Sequence, residues 1–246
     1  MAELPAIVGA DRATAHRYFD DFALRRLPAA LATARQDTVT AAMAPLAEMF
    51  GDAGGMVQLS REQARGRAGD FEIIEYILRA QPGGVPGTWG HHFDDYLLHA
   101  PITDQHRNKI AHQAALIESA LGSDPADVPS TAAHLAADHG PFDLVLAGGL
   151  FDYLEERFAR ALIRTTLSRL CRPGGTFYFS NIATPNPYAA LMTHIGRWNL
   201  VERTPADIEA DVRAAAPPGT VAGLDITADA TGLALFATVR RADDPG

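Results

Sequence analysis

Residues 89–96 read Trp-Gly-His-His-Phe-Asp-Asp-Tyr and follow a stretch, Gln81 to Gly90, with two prolines and four glycines. Imidazole titrates near neutrality, so His91 or His92 can act as a general base beside such a loop, with Trp89, Asp95 and Tyr96 as substrate contacts. The blander reading makes these ordinary helix-start residues, with Asp94 and Asp95 favoured by the helix dipole. His99 and His106 add two more imidazoles, but the spacings match no zinc motif, and no metal is expected. A second group is Asp152, Tyr153 and Asn181. Each follows a short apolar run, at the carboxyl edge where open α/β sheets bind ligands. Asp152 is a candidate catalytic carboxylate, or simply a helix N-cap. Tyr153 and Asn181 are candidate substrate contacts, joined by Tyr188 and Trp198. Arg107, Arg197 and Arg203 are candidate clamps for a carboxylate, phosphate or sulfate, against the commoner role of a surface ion pair. Cys171 is read as structural.

The 246 residues carry a formal charge of −9, a pI near 5.4 and 47% apolar residues. The chain has ample core for one large or two small domains and no basic surface for nucleic acid or an anionic membrane. A small molecule or another protein is the expected partner. One cysteine excludes an internal disulfide. The first eleven residues lack the charged start and long apolar run of a signal peptide, and no segment reaches membrane-spanning length, so a cytoplasmic location is expected. Ala, Arg, Asp, Gly and Pro dominate as in high-GC bacteria.

The elements that must position these groups divide into two parts. Phe19, Phe22, Leu27, Leu31, Val39, Met43, Leu46 and Phe50 recur at helical spacing, with Pro28 and Pro45 marking boundaries or kinks. Gly51 to Gly55 reads as a turn, Ser60 with Gln63 as a capping box, and Asp70 to Ala80, His92 to His99 and Thr103 to Leu121 as helices. After Gly122 the pattern changes. Ser123 to Ser130 has the composition of a connection, which puts the boundary between a helical domain, residues 1–122, and an α/β domain, residues 123–246. There, Phe142 to Leu150 reads as a buried strand and Tyr153 to Leu170 as a helix with Leu154, Phe158, Leu162, Leu167 and Leu170 inward. Arg172-Pro173-Gly174-Gly175 stops it. Thr176 to Ile182 is a second strand, Asn186 to Leu200 a helix broken at Gly196, and Thr204 caps another before Pro205. Thr220 to Ile226 and Leu233 to Val239 form an antiparallel hairpin.

Phe142-Asp143-Leu144-Val145, Gly149-Leu150-Phe151-Asp152-Tyr153-Leu154, Arg172-Pro173-Gly174-Gly175, Asn181, Pro187 and Trp198 together resemble a bacterial class I S-adenosylmethionine-dependent methyltransferase-like family. The likeness covers residues 140–240. Arg107-Asn108-Lys109-Ile110 is similar to the basic helix preceding that family's nucleotide-binding half. The resemblance implies a Rossmann-like sheet ending in an antiparallel hairpin. It also implies a glycine-rich loop and an acidic strand end that hold the cofactor. The chain departs from the pattern: 20 residues, Gly122 to Pro141, separate helix from strand. That is too few for two strands and two helices, and neither Gly51–Gly55 nor Gly83–Gly90 follows a strand signal. The expectation is a truncated methyltransferase-like sheet without an intact S-adenosylmethionine site and with no cofactor. It would act on a small molecule in bacterial specialised metabolism, by ring closure or by elimination of a group such as sulfate. An exposed edge at Phe142 calls for a partner subunit or a second copy. The alternatives are a methyltransferase with an atypical S-adenosylmethionine site and a non-catalytic subunit of a heteromeric complex.

Overall fold

The computed structural model describes residue 7 and residues 9–51, 54–63, 71–121 and 140–243. The chain divides into two compact units, one of residues 1–107 with 186–199, the other of residues 108–185 with 200–246. The boundary expected at residues 122–123, and the connection Ser123 to Ser130, lie outside the described residues.

The first unit is helical: α1 (Arg12–Asp21), α2 (Leu27–Thr33), α3 (Gln36–Gly51), α4 (Met56–Glu62), α5 (Phe71–Arg79), α6 (Trp89–Leu98) and the start of α7 (Pro101–Leu121). Asp11 caps α1 by accepting from the Thr14 amide. Pro28 marks a boundary, as expected. A π-turn over Phe22–Arg26 hands the chain into α2, with the Leu27 amide reaching the Phe22 carbonyl, so the proline ring sits in a first turn where its missing N–H costs nothing. Pro45 lies inside α3. Ser60 does not open a helix: its hydroxyl donates to the Val57 carbonyl within α4, and Gln63 closes that helix in a left-handed conformation. Phe19, Phe50 and Phe93 form the centre of the core, the last two stacked at 3.9 Å.

Asp94 ties this unit together. The buried carboxylate accepts from the Met56 amide at 2.7 Å, from the Gly83 amide at 2.8 Å and from the Tyr76 hydroxyl. It thereby joins the start of α4, helix α5 and the loop before α6. A Cβ at residue 55 would collide with it, so Gly55 is required there. Thr88 is the N-cap of α6, which puts Asp94 and Asp95 beyond the first turn, so the helix-start reading of these acids is corrected. Replacing Asp94 with Ala leaves the Met56 amide and the Tyr76 hydroxyl without their acceptor, while the Gly83 amide keeps only the Tyr76 oxygen, and a loss of about 3 kcal/mol is expected in urea denaturation of the full chain.

The second unit is α/β. Its four-stranded sheet has the order β1 (Phe142–Ala147), β2 (Cys171–Ile182), β4 (Ala234–Arg241), β3 (Val221–Ala228), with β1 parallel to β2 and the other pairs antiparallel. The chain runs from β1 through a 3₁₀ turn (Phe151–Tyr153) and α8 (Glu156–Thr165) into a π-turn (Thr166–Leu170) and β2. The Pro173-Gly174-Gly175 run does not lie between helix and strand; it sits inside β2 as a bulge, where the register against β1 jumps from Phe142–Cys171 to Leu144–Thr176. Gly174 has φ +73°, and a Cβ on Gly175 would stand 2.9 Å from the Arg172 carbonyl and from Cys171 Sγ. Ala159, Ile163 and Leu167 face the sheet, whereas Phe158, expected inward, is 51% exposed under the Arg157 guanidinium.

Between β2 and α10 (Pro205–Ala215) the chain leaves this unit at Asn186, forms α9 (Ala189–His194) in the helical unit and returns at Leu200. The long helix expected over 186–200 is therefore one short helix and a turn. Thr204 and Asp207 form the reciprocal capping box that opens α10.

Candidate functional site

The carboxyl edge of β1 and β2 carries the second predicted group. Asp152 sits in the 3₁₀ turn and caps no helix; Glu155 precedes α8 without a side-chain cap bond. Its Oδ1 accepts from the Ile182 amide at 2.5 Å and its Oδ2 from Lys109 Nζ at 3.0 Å, and its carbonyl accepts from the Val201 amide at 2.7 Å. The Asp152 and Lys109 side chains are only 4% and 5% exposed. Asn181 is equally engaged: its Nδ2 donates to the Val201 carbonyl at 2.8 Å and its Oδ1 accepts from Arg203 Nη1 at 2.5 Å. Arg203, expected as an anion clamp, is buried and donates to the Phe151 and Leu154 carbonyls, with Asp211 3.4 Å from its Nε. Asp211 also receives Arg160 at 2.8 Å. Each charge removed from water here is matched by a counter-charge or by several dipoles, as a buried ionic network requires.

Beside this network Gly149 donates its amide to Ser180 Oγ at 2.9 Å, and Gly148 faces the Gln113 amide group with no room for a Cβ. His112 stacks on Phe236 at 4.6 Å, and its Nε2 is buried without a hydrogen-bond partner. Tyr153 is half-buried. Sequence reasoning placed Lys109 in a basic helix and missed its role, which depends on a carboxylate in a distant turn.

The helical unit brings together most of the first predicted group. Trp89 packs edge-on against Tyr18 and Phe19, both at 5.6 Å. His91 donates Nδ1–H to the Gly83 carbonyl at 2.9 Å, which fixes its tautomer. His92 points inward with Nε2 buried and unpartnered. Burial, then the charges of His91 and His16, push its pKa down against the pull of Asp95. Asp95 is the hub of a surface network: it accepts from Arg12 at 2.7 and 3.1 Å and from His16 at 2.9 Å, while His99 Nδ1 lies 3.3 Å away. Burial opposes its charge, and the bonds from Arg12 and His16 outweigh this and hold its pKa below the usual carboxylate value. The Tyr96 hydroxyl donates to Asp20 at 3.0 Å and shares a hydrogen bond with Tyr188, so two predicted contacts do meet.

Arg107 is consumed structurally. It donates to the Ile77 and Leu98 carbonyls, both at 2.8 Å, capping the ends of α5 and α6, and pairs with Asp104. Trp198 stacks on His106 at 5.4 Å and lines, with Met56, Phe93 and Met192, an apolar cavity of about 30 Å³. Arg197 is exposed. Among the described residues no cluster could hold a metal ion, and no helix is long and apolar enough to cross a membrane.

No protein-family model matches the chain, and no curated protein matches it. Solved structures do. A protein from Bordetella parapertussis described as a possible exported protein matches with a TM-score of 0.48 and 16% identity over 87% of this chain and 98% of its own. Magnesium protoporphyrin IX methyltransferase from Synechocystis matches with a TM-score of 0.34 and 19% identity over 56% of this chain and 60% of its own. An O-methyltransferase family protein from Burkholderia thailandensis gives a TM-score of 0.34 and 18% identity over 94% and 71%.

Two outcomes follow from this geometry. Lys109→Met leaves Asp152 buried without its counter-charge and costs about 3–5 kcal/mol in urea denaturation, whereas adding Asp152→Asn recovers at least about half of that, because the amide oxygen still accepts from Ile182. For His92 the folded pKa lies below the unfolded value of 6.5, so the unfolded chain binds the proton more readily. Its contribution is present above pH 6.5 and is lost as pH falls toward the folded value. Thermal unfolding of His92→Gln should therefore show a shallower decline in Tm below pH 6.5 than the parent chain.

Proposed function

We propose that this chain is a methyltransferase-derived protein that acts on a small molecule without S-adenosylmethionine, together with a partner subunit or a second copy. The observation that carries this reading is the state of the strand edge. The Asp152 carboxylate has both oxygens taken by Lys109 and Ile182, and Asn181 is taken by Arg203 and Val201. A nucleoside ligand at that edge would need acceptors for its ribose hydroxyls, and freeing Asp152 would strand a buried lysine. The residues of this edge do not fit the cofactor that the resemblance implies.

Acid–base chemistry is what remains, and its candidate groups are His91 and His92 in the first turn of α6. The partner rests on β1, which among the described residues pairs with β2 alone and carries one charged side chain, Asp143, leaving few of the devices that blunt an open edge.

Calorimetric titration of the purified chain with S-adenosylmethionine and with S-adenosylhomocysteine is expected to give no binding heat. Micromolar affinity for either would overturn the reading and establish a methyltransferase with an atypical cofactor site.

A further inference from the structure

We propose that the groove between α10 and β3 is a self-association surface, occupied by the same face of a second copy of this chain. The proposal goes beyond the reading above, which places its partner at β1: β3 is the opposite edge of the same sheet. Every residue involved belongs to the α/β unit.

The groove follows from where α10 lies. Ile208, Val212 and Ala215 bury one side of the helix in the core, while Val221, Leu224 and Ile226 of β3 are only partly buried against that core. The helix thus leaves the edge strand half covered, and between them runs a groove of about 730 Å³ whose apolar lining includes Val212, Leu224 and Ile226. Among the described residues β3 pairs with β4 alone, so its outer backbone groups are available. The strand is irregular only between Val221 and Gly223. From Gly223 to Ala228 it keeps unbroken register with β4, and Asp225 is its one charged residue, which leaves a regular and weakly guarded edge.

A row of backbone donors and acceptors beside an apolar groove is matched by another extended strand, whose alternate side chains enter the groove. The charges on α10 favour a particular strand. Glu209 and Arg213, one turn apart and both lining the groove, pair with each other and still leave their side chains 45% and 76% exposed. A two-fold axis beside β3 sets two α10 helices antiparallel, so that Glu209 meets Arg213 of the partner subunit, and the same contact is made twice. An acid and a base on one helix face are therefore complementary to their own two-fold copy, a match that an unrelated strand does not offer. The same axis pairs β3 with itself. With Leu224 at its centre, Asp225 falls opposite Gly223 of the partner subunit, and the two carboxylates do not oppose each other.

The test is sedimentation velocity of the full chain across the micromolar range at low, constant ionic strength, with the Tm of each variant measured beside it. A dimer of twice 26.3 kDa is expected. Ala206→Trp puts a bulky side chain at an exposed position of the groove; it should keep the parent Tm and weaken dimerisation by about tenfold or more. Arg213→Glu gives a chain with two acids in the groove, and Glu209→Arg gives one with two bases. Each alone should dimerise at least about tenfold less well, and an equimolar mixture of the two should recover the dimer, which chains that had failed to fold could not do. A monomer at every concentration, a dimer indifferent to Ala206→Trp or to the charge variants, or a mixture that does not recover would each overturn the proposal. None of these substitutions touches β1, so failure here leaves the reading of that edge standing, and a partner lost from β1 leaves this one.

Discussion

The α/β unit depends on the ion pair between Lys109 and Asp152. A carboxylate and an ammonium, each about 5% exposed, are tolerable only together, and together they fix three pieces of chain: helix α7, the turn after β1 and the end of β2 through the Ile182 amide. Asn181 and Arg203 continue the arrangement across the same edge, and Asp211 joins it to α10. Polar groups that would be exposed to a ligand in an open edge here serve as internal struts.

The helical unit has a parallel device in Asp94, a carboxylate matched by dipoles instead of a cation. Two amides and a phenol converge on it, so short helices with little individual stability are held by one acceptor. One residue along the same helix, Asp95 faces the surface and gathers Arg12, His16 and His99. Adjacent acids thus divide into a buried clasp and a half-exposed hub, a difference set only by which side of α6 each occupies.

What could be read from the sequence was what local physics decides. The strand at Phe142, the hairpin over residues 221–241 and the Thr204 cap rest on patterns within a few residues, and each is found. The α/β class follows from them. The polar residues were legible as types but not as partners: Asp152 reads as a cap or a catalyst until Lys109, 43 residues away, is seen to neutralise it. Arg107 reads as an anion clamp until the carbonyl ends of two helices take its donors. The Pro173-Gly174-Gly175 run reads as a helix stop because a bulge inside a strand has the same local composition as a turn.

The excursion of residues 186–199 has a consequence for how the molecule can be made and unmade. Because this segment belongs to the helical unit while the chain on both sides belongs to the sheet, no cut at one peptide bond releases either unit whole. On the ribosome the helical unit stays without α9 until β1 and β2 have already emerged. The two units therefore mature in overlapping order, with neither completed before the other has begun.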